Sequence, residues 1–204
     1  MTRLDSADFE AFLEHPEVQR VTCDDNQALI ERRSHRPARC SVLTQSHTQL
    51  ETDRRYTFEI DPEARRLLPR IIGNKVQRVV PAADEAVPES YRRARTIGVV
   101  FSGGPAPGGH NVIAGIFDAL KSLNGASRLF GFLNGPGGIL DDKAVEITPE
   151  FIDEYRNTGG FDMIGSGRTK IESDEQFRRS LEVCAARKLD ALVVIGGDDS
   201  NTNA

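Results

Sequence analysis

Three short polar stretches carry residue types that could handle a small anion. Ser102-Gly-Gly-Pro-Ala-Pro-Gly-Gly-His-Asn111 places four glycines and two prolines in ten residues. Without a Cβ, glycine lets backbone N–H groups come close to a phosphate oxygen, and a helix N-terminus behind the loop adds partial positive charge. A plain tight turn between a strand and a helix is the alternative, although it needs fewer glycines. Gly196-Gly-Asp-Asp-Ser200 sets two carboxylates side by side after a glycine pair. Carboxylates next to a phosphate make chemical sense with a hard cation between them. Capping of a following helix would account for one acid and Ser200 but not for the paired glycines. The third stretch is Gly165-Ser-Gly-Arg-Thr-Lys170. Arg168 there is planar, permanently charged and able to grip an anion with two N–H groups; standing alone, it would read as a solvent-facing charge. No Walker A pattern and no GxGxxG occurs. Gly135-Pro-Gly137 comes nearest to the latter, but position 140 is Leu, so it reads as a turn.

The elements that must carry these stretches follow from the apolar pattern. Thr96–Phe101 is a short β-branched run, as expected of a buried strand feeding a tight turn. Val112, Ile113, Ile116, Phe117, Leu120 and Leu123 then recur at helical spacing up to Gly125. Leu129–Leu133 reads as a second strand, and Phe161–Ile164 as a short one before the Arg168 turn. Thr148-Pro149-Glu150 starts a helix, and Ser173 with Gln176 forms a capping box ahead of Phe177, Leu181 and Cys184. Ala191–Ile195 is another buried strand. Alternating strands and helices imply an α/β fold of three αβα layers about a mainly parallel sheet. In such sheets ligands gather beyond the strands' carboxyl ends, where the two glycine-rich loops should lie. The chain ends at Ala204, where the next helix should begin, so a truncated domain is expected.

In this order and spacing, the stretches at 97–113, 164–170 and 196–204 resemble the phosphofructokinase family, over about residues 95–204. The resemblance implies that Gly103 and Gly104 bind the donor diphosphate through backbone amides. It implies that Arg168 holds the donor and neutralises charge during transfer, and that Asp198 holds Mg2+. Asp199 stands where the ATP-using branch has Gly and matches the branch that uses pyrophosphate. A carboxylate placed about 4 Å from a nucleotide's α-phosphate would cost about 4 kcal/mol at an effective dielectric near 20. Pro105 replaces an Asp typical of the short bacterial ATP enzymes and fits the longer-chained type. The implied reaction moves a phosphoryl group from pyrophosphate to the 1-hydroxyl of fructose 6-phosphate, with Asp199 and Arg168 in catalytic positions. The family's general base, an Asp in a Thr-Ile-Asp-type motif, lies downstream of the last loop and is not in this chain, so the isolated chain is expected to be inactive. The alternatives are an ATP-dependent relative and a non-catalytic regulatory subunit of the same fold. A homo-oligomer is implied for the full-length protein.

Upstream, residues 1–94 read as a mixed, charged extension and linker, and 95–204 as an incomplete donor-phosphate-binding domain. The extension holds Arg pairs at 32–33, 54–55, 65–66 and 92–93, an amphipathic stretch at Phe9, Phe12 and Leu13, and expected strands near 56–60 and 76–80. The Arg pairs are expected to be solvated faces meeting the many acids. The formal net charge of −5 argues against a nucleic-acid partner. The lack of an 18-residue apolar run argues against a membrane span. Three widely spaced cysteines and four histidines form no zinc pattern. With no signal-like start, a cytoplasmic protein is expected.

Overall fold

The computed structural model describes residues 27–38, 40, 42, 47–56, 60–69, 74–82 and 88–204. The amphipathic stretch at 9–13 lies outside these residues, as does most of the strand expected at 56–60. The chain forms two compact units, one of residues 37–92 and one joining 1–36 to 93–204.

In the smaller unit, β1 (Thr48–Thr52) pairs antiparallel with β2 (Gln77–Pro81), Leu50 opposite Val79. The helix α2 (Pro62–Leu67) starts on Asp61, whose carboxylate accepts from the amides of Glu63 and Ala64. Arg55 grips Asp53 through Nε and Nη2.

The larger unit contains α1 (Gln27–Ser34) and, in chain order, β3 (Thr96–Ser102), α3 (Gly109–Leu123), β4 (Arg128–Phe132), α4 (Pro136–Leu140) and β5 (Ala144–Glu146). After these come α5 (Pro149–Tyr155), β6 (Ser166–Gly167), α6 (Asp174–Ala186), β7 (Ala191–Ile195) and α7 (Asp198–Asn203). The central strand is β3. Val100 pairs with Phe132 of β4 and with Val194 of β7, so these strands lie on opposite sides of it. Phe101 likewise pairs with Ile195 and with Ser166, which puts β6 on the β4 side. The β6 segment therefore wedges between the carboxyl ends of β3 and β4: Asn134 N–H donates to the Ile164 carbonyl and Gly103 N–H to the Gly167 carbonyl. Only β5, antiparallel to β4, breaks the parallel pattern.

Side chains of β3 alternate between two packed layers. Ile97, Val99 and Phe101 meet Ile113, Phe117 and Leu120 of α3 and Ile152 of α5 on one face. Val100 meets Ile139 of α4 and Val183 of α6 on the other. This is the three-layer arrangement expected from the alternating elements. Three details depart from the sequence reading. Phe161–Ile164 is not a strand: the chain bends there to bury Phe161, Met163 and Ile164, and the strand comes two residues later. Gly135-Pro-Gly137 is not a bare turn but the start of α4, where Gly135 lies so close to the Gly167 backbone that any Cβ would collide with it. The helix expected to be missing after β7 begins within the chain, as α7.

Helix faces are also narrower than their apolar spacing implied. Val112 and Leu123 of α3 are exposed, leaving His110, Ile113, Ala114, Phe117 and Leu120 as its buried stripe. On α6, Leu181 is 71% exposed and Phe177 45%, whereas Val183 is buried. The apolar stripe read from Phe177, Leu181 and Cys184 lines a surface groove with Leu189 and Leu192. The capping box is formed as expected, Ser173 Oγ accepting from Gln176 N–H and the Gln176 side chain accepting from Ser173 N–H. Among the described residues no helix is long and apolar enough to cross a membrane.

Candidate anion and cation cleft

The turn after β3 is pinned at both ends. Gly103 N–H donates to Gly167 O at 2.8 Å, and Gly108 N–H to Gly159 O at 2.7 Å. Gly108 sits at φ 91°, a left-handed conformation that side chains disfavour, and it is the residue from which α3 departs. His110 N–H, an orphan donor of the first helical turn, reaches Gly160 O at 3.0 Å. Between the pins, Gly104–Pro107 are exposed. The Gly103 amide is thus engaged within the fold, and the next amide the turn can offer is that of Gly104. A Cβ on Gly104 would stand 3.1 Å from Arg168 Nη2, so the guanidinium lies directly over this glycine.

The turn after β7 is built differently. Gly197 is the N-cap of α7, so Asp198 and Asp199 are its first two residues rather than caps, and both are exposed. Two side chains from α7 tie it down. Buried Ser200 donates through Oγ to the Ser102 carbonyl at 3.1 Å. Asn203 closes a pair of bonds with Ile171, its Oδ1 accepting from Ile171 N–H at 3.0 Å and its Nδ2 donating to Ile171 O at 2.6 Å.

The three stretches are therefore linked pairwise: Gly103 to Gly167, Ser200 to Ser102, and Asn203 to Ile171 just beyond Arg168. They line a single cleft of about 830 Å³, with Gly103, Gly104, Arg168, Asp198 and Asp199 all on its wall. Lys170 lines it as well, a second cation to which the sequence pattern assigned no role. Arg168, Lys170, Asp198 and Asp199 are all exposed and make no side-chain hydrogen bond or ion pair with one another among the described residues. Two cations and two carboxylates, unneutralised and facing one cleft, suit a ligand carrying both signs, such as an anion with its metal ion. Among the described residues no cluster of three or more His, Cys, Asp or Glu could enclose a metal. Exposed carboxylates such as Asp198 could hold only an ion that keeps water or other oxygens as most of its ligands.

Sequence reasoning missed the residues that assemble the cleft. Ser200 and Asn203 lay inside a recognised stretch but looked like ordinary polar residues of a turn. His110 was visible only as a polar residue at a glycine-rich helix start, yet it is buried and accepts from two backbone amides, of Asp162 and Met163. At the far end of the sheet, Asp190 ties β7 to β3. It accepts from Thr96 N–H at 2.8 Å and from Arg93 Nη2 at 2.6 Å, and these bonds hold its carboxyl below the usual range.

Residues 96–204 match the family model described as phosphofructokinase. The chain is 66% identical over 108 residues to pyrophosphate–fructose 6-phosphate 1-phosphotransferase of Porphyromonas gingivalis, covering 53% of this chain and 20% of that protein. It is 54% identical over 142 residues to subunit beta 2 of the Arabidopsis thaliana protein of that name, covering 70% of this chain and 25% of the relative. That alignment is longer than the segment 96–204, so the likeness begins upstream of residue 96. The protein of the same name from Entamoeba histolytica is 59% identical over 107 residues, covering 52% of this chain and 20% of the relative. The chain thus spans a fifth to a quarter of the length of these relatives.

Proposed function

Since the chain belongs to the phosphofructokinase family, we propose that its cleft is the donor-phosphate half of an enzyme moving a phosphoryl group from pyrophosphate to the 1-hydroxyl of fructose 6-phosphate. The supporting observation is the pairwise linkage of the three turns, which sets the Gly104 amide, Arg168 and the Asp198–Asp199 pair around one space. In this reading the Gly104 amide and the Arg168 guanidinium hold diphosphate oxygens, and Arg168 neutralises charge as the phosphoryl group leaves. Gly103 serves by holding the turn, its amide being engaged by Gly167. Asp198 would hold Mg2+, which would supply charge neutralisation for the diphosphate. Asp198 and Asp199 are the only carboxylates among the described residues lining the cleft, and proton removal from the sugar hydroxyl is assigned to neither. Relatives named as beta subunits support assembly with further chains, and a cytoplasmic setting is part of the same reading.

The choice of pyrophosphate over ATP rests on Asp199. Being exposed, its repulsion of a nucleotide's α-phosphate is screened to about 1 kcal/mol, roughly fivefold in affinity. Calorimetric titration of the 204-residue chain tests this. Pyrophosphate should bind with Mg2+ present and at least tenfold more weakly without it. Asp199→Gly should improve ATP binding about fivefold and leave pyrophosphate binding nearly unchanged. An ATP affinity indifferent to that substitution would remove the ground for naming pyrophosphate as donor.

A further inference from the structure

Among the described residues, His110 is the one buried ionisable side chain that joins the glycine turn to the approach of the Arg168 turn. Its side chain is 2% exposed. Nε2 accepts from Asp162 N–H at 3.0 Å and from Met163 N–H at 2.9 Å. A nitrogen that accepts two N–H groups carries no proton, so the single ring proton sits on Nδ1. There it donates to Thr158 Oγ1 at 2.6 Å, and the Thr158 hydroxyl donates in turn to Tyr155 O at 2.6 Å. The loop wraps closely around the ring: a Cβ on Gly160 would stand 2.6 Å from His110 Cε1. The same loop returns two carbonyls to the glycine turn, Gly159 O to Gly108 N–H and Gly160 O to His110 N–H. It also runs directly into Ile164–Gly167, whose carbonyls hold Asn134 and Gly103.

We propose that His110, held as the Nδ1-protonated neutral imidazole, is a positioning residue that clamps loop 158–163 and so keeps the Gly103–Gly108 turn and the Arg168 turn in register. It rests on the diphosphate reading only for the identity of the anion that the two turns grip. A second proton on Nε2 would turn that acceptor into a donor and break both amide bonds. The titratable groups facing the ring are Asp162, with Oδ1 3.0 Å from Nε2, and Tyr155, whose ring meets it edge-on at 5.0 Å. The Asp162 side chain is 89% exposed and replaces at most one of the two lost bonds. Burial holds the imidazole below its ordinary value, against the pull of Asp162. The clamp is therefore complete above about pH 6.5 and is lost as pH falls through the lower folded value.

Amide hydrogen exchange of the 204-residue chain, read by NMR, tests the clamp without any ligand. At neutral pH the imidazole nitrogen shifts should report the proton on Nδ1. His110→Phe keeps the ring volume but offers no acceptor, and should speed exchange at Asp162, Met163 and Gly103 by about tenfold or more while sparing Val193 in β7. His110→Gln supplies a side-chain acceptor and should stay within about threefold of the parent. As the pH is lowered stepwise from about 6.5 to the acid limit of the folded chain, protection at Asp162 and Met163 should fall in the parent beyond the intrinsic change in exchange and stay level in His110→Gln. If His110→Phe does not fold, the parent against His110→Gln pH profile decides alone. A proton on Nε2 at neutral pH, parent-like protection of Gly103 in folded His110→Phe, or identical pH profiles for parent and His110→Gln would overturn the proposal. Pyrophosphate titration separates the two readings: failure of the parent chain to bind refutes the ligand, while the exchange pattern still decides the role of His110.

Discussion

The turns after β3 and β7 begin alike, an apolar parallel strand followed by a glycine pair, and end as opposites. The first is woven into its neighbours by three backbone bonds, to Gly167, Gly159 and Gly160, and its exposed tip carries no charge. The second exposes two carboxylates and hangs from two side chains of a six-residue helix, Ser200 and Asn203. A glycine pair after a parallel strand therefore does not signal one kind of site. In one case the missing side chains let backbone pack against backbone, so that amides are held still. In the other, a Cβ on Gly196 would strike both Ser200 and the Ser102 carbonyl, so the glycine lets the two turns approach each other. The contrast fits the proposed function, in which the turn with bonded amides would meet the anion and the turn with exposed carboxylates the cation.

The sharpest way to break this contrast is to remove the cation that lies over the first turn. Arg168→Ala should weaken pyrophosphate binding by about 30- to 150-fold, the loss of some 2–3 kcal/mol in charge-assisted hydrogen bonds, with thermal stability unchanged because Arg168 is exposed and makes no ion pair among the described residues. Arg168→Lys should restore only part of the affinity, since an ammonium cannot present two parallel N–H groups. Calorimetry on both variants checks this, and a Lys variant of full affinity would make Arg168 a mere point charge. A smaller effect is expected from the side-chain tie of the second turn. Ser200→Ala leaves the Ser102 carbonyl without this partner and should cost about 1–2 kcal/mol in denaturant unfolding. It should loosen Mg2+-dependent more than Mg2+-independent pyrophosphate binding, because it frees the turn that holds the carboxylates. The smallest effect should come from the opposite end of the sheet. Asp190 is ionised and bonded in the fold with its carboxyl lowered, so its contribution is present above the ordinary carboxylate range and lost as pH falls through the folded value. Asp190→Asn should flatten the acid side of the stability profile, measured by thermal melts from about pH 6 to 3, and leave pyrophosphate affinity at neutral pH unchanged.

Much of this architecture was legible along the chain because it depends on local periodicity. Thr96–Phe101 and Ala191–Ile195 alternate between two apolar layers and are strands, but only the first is buried along its length as expected, the second being at most half-buried; Ser173 and Gln176 cap α6 through contacts three residues apart. The candidate residues of the cleft stood out for the same reason, since Gly104, Arg168, Asp198 and Asp199 are marked by type and by neighbours, and the fold brings all four to one wall. Bends that depend on distant partners were not. Phe161–Ile164 looked like a strand from its apolar content, yet it turns to stack Phe161 on Phe101 and to wrap His110. The apolar stripe of α6 was real, but nothing in its spacing said that Leu181 would be left facing solvent.

By itself the sequence determined which residues could touch a phosphate or a metal ion, and that alternating strands and helices would deliver them to one end of a sheet. Whether they would meet was decided by bonds across long separations: Gly103 with Gly167, Ser102 with Ser200, Ile171 with Asn203, and His110 with Asp162 and Met163. The physical reason is that composition and periodicity act over a few neighbouring residues, whereas a buried amide or carbonyl must find its partner wherever the folded chain supplies one.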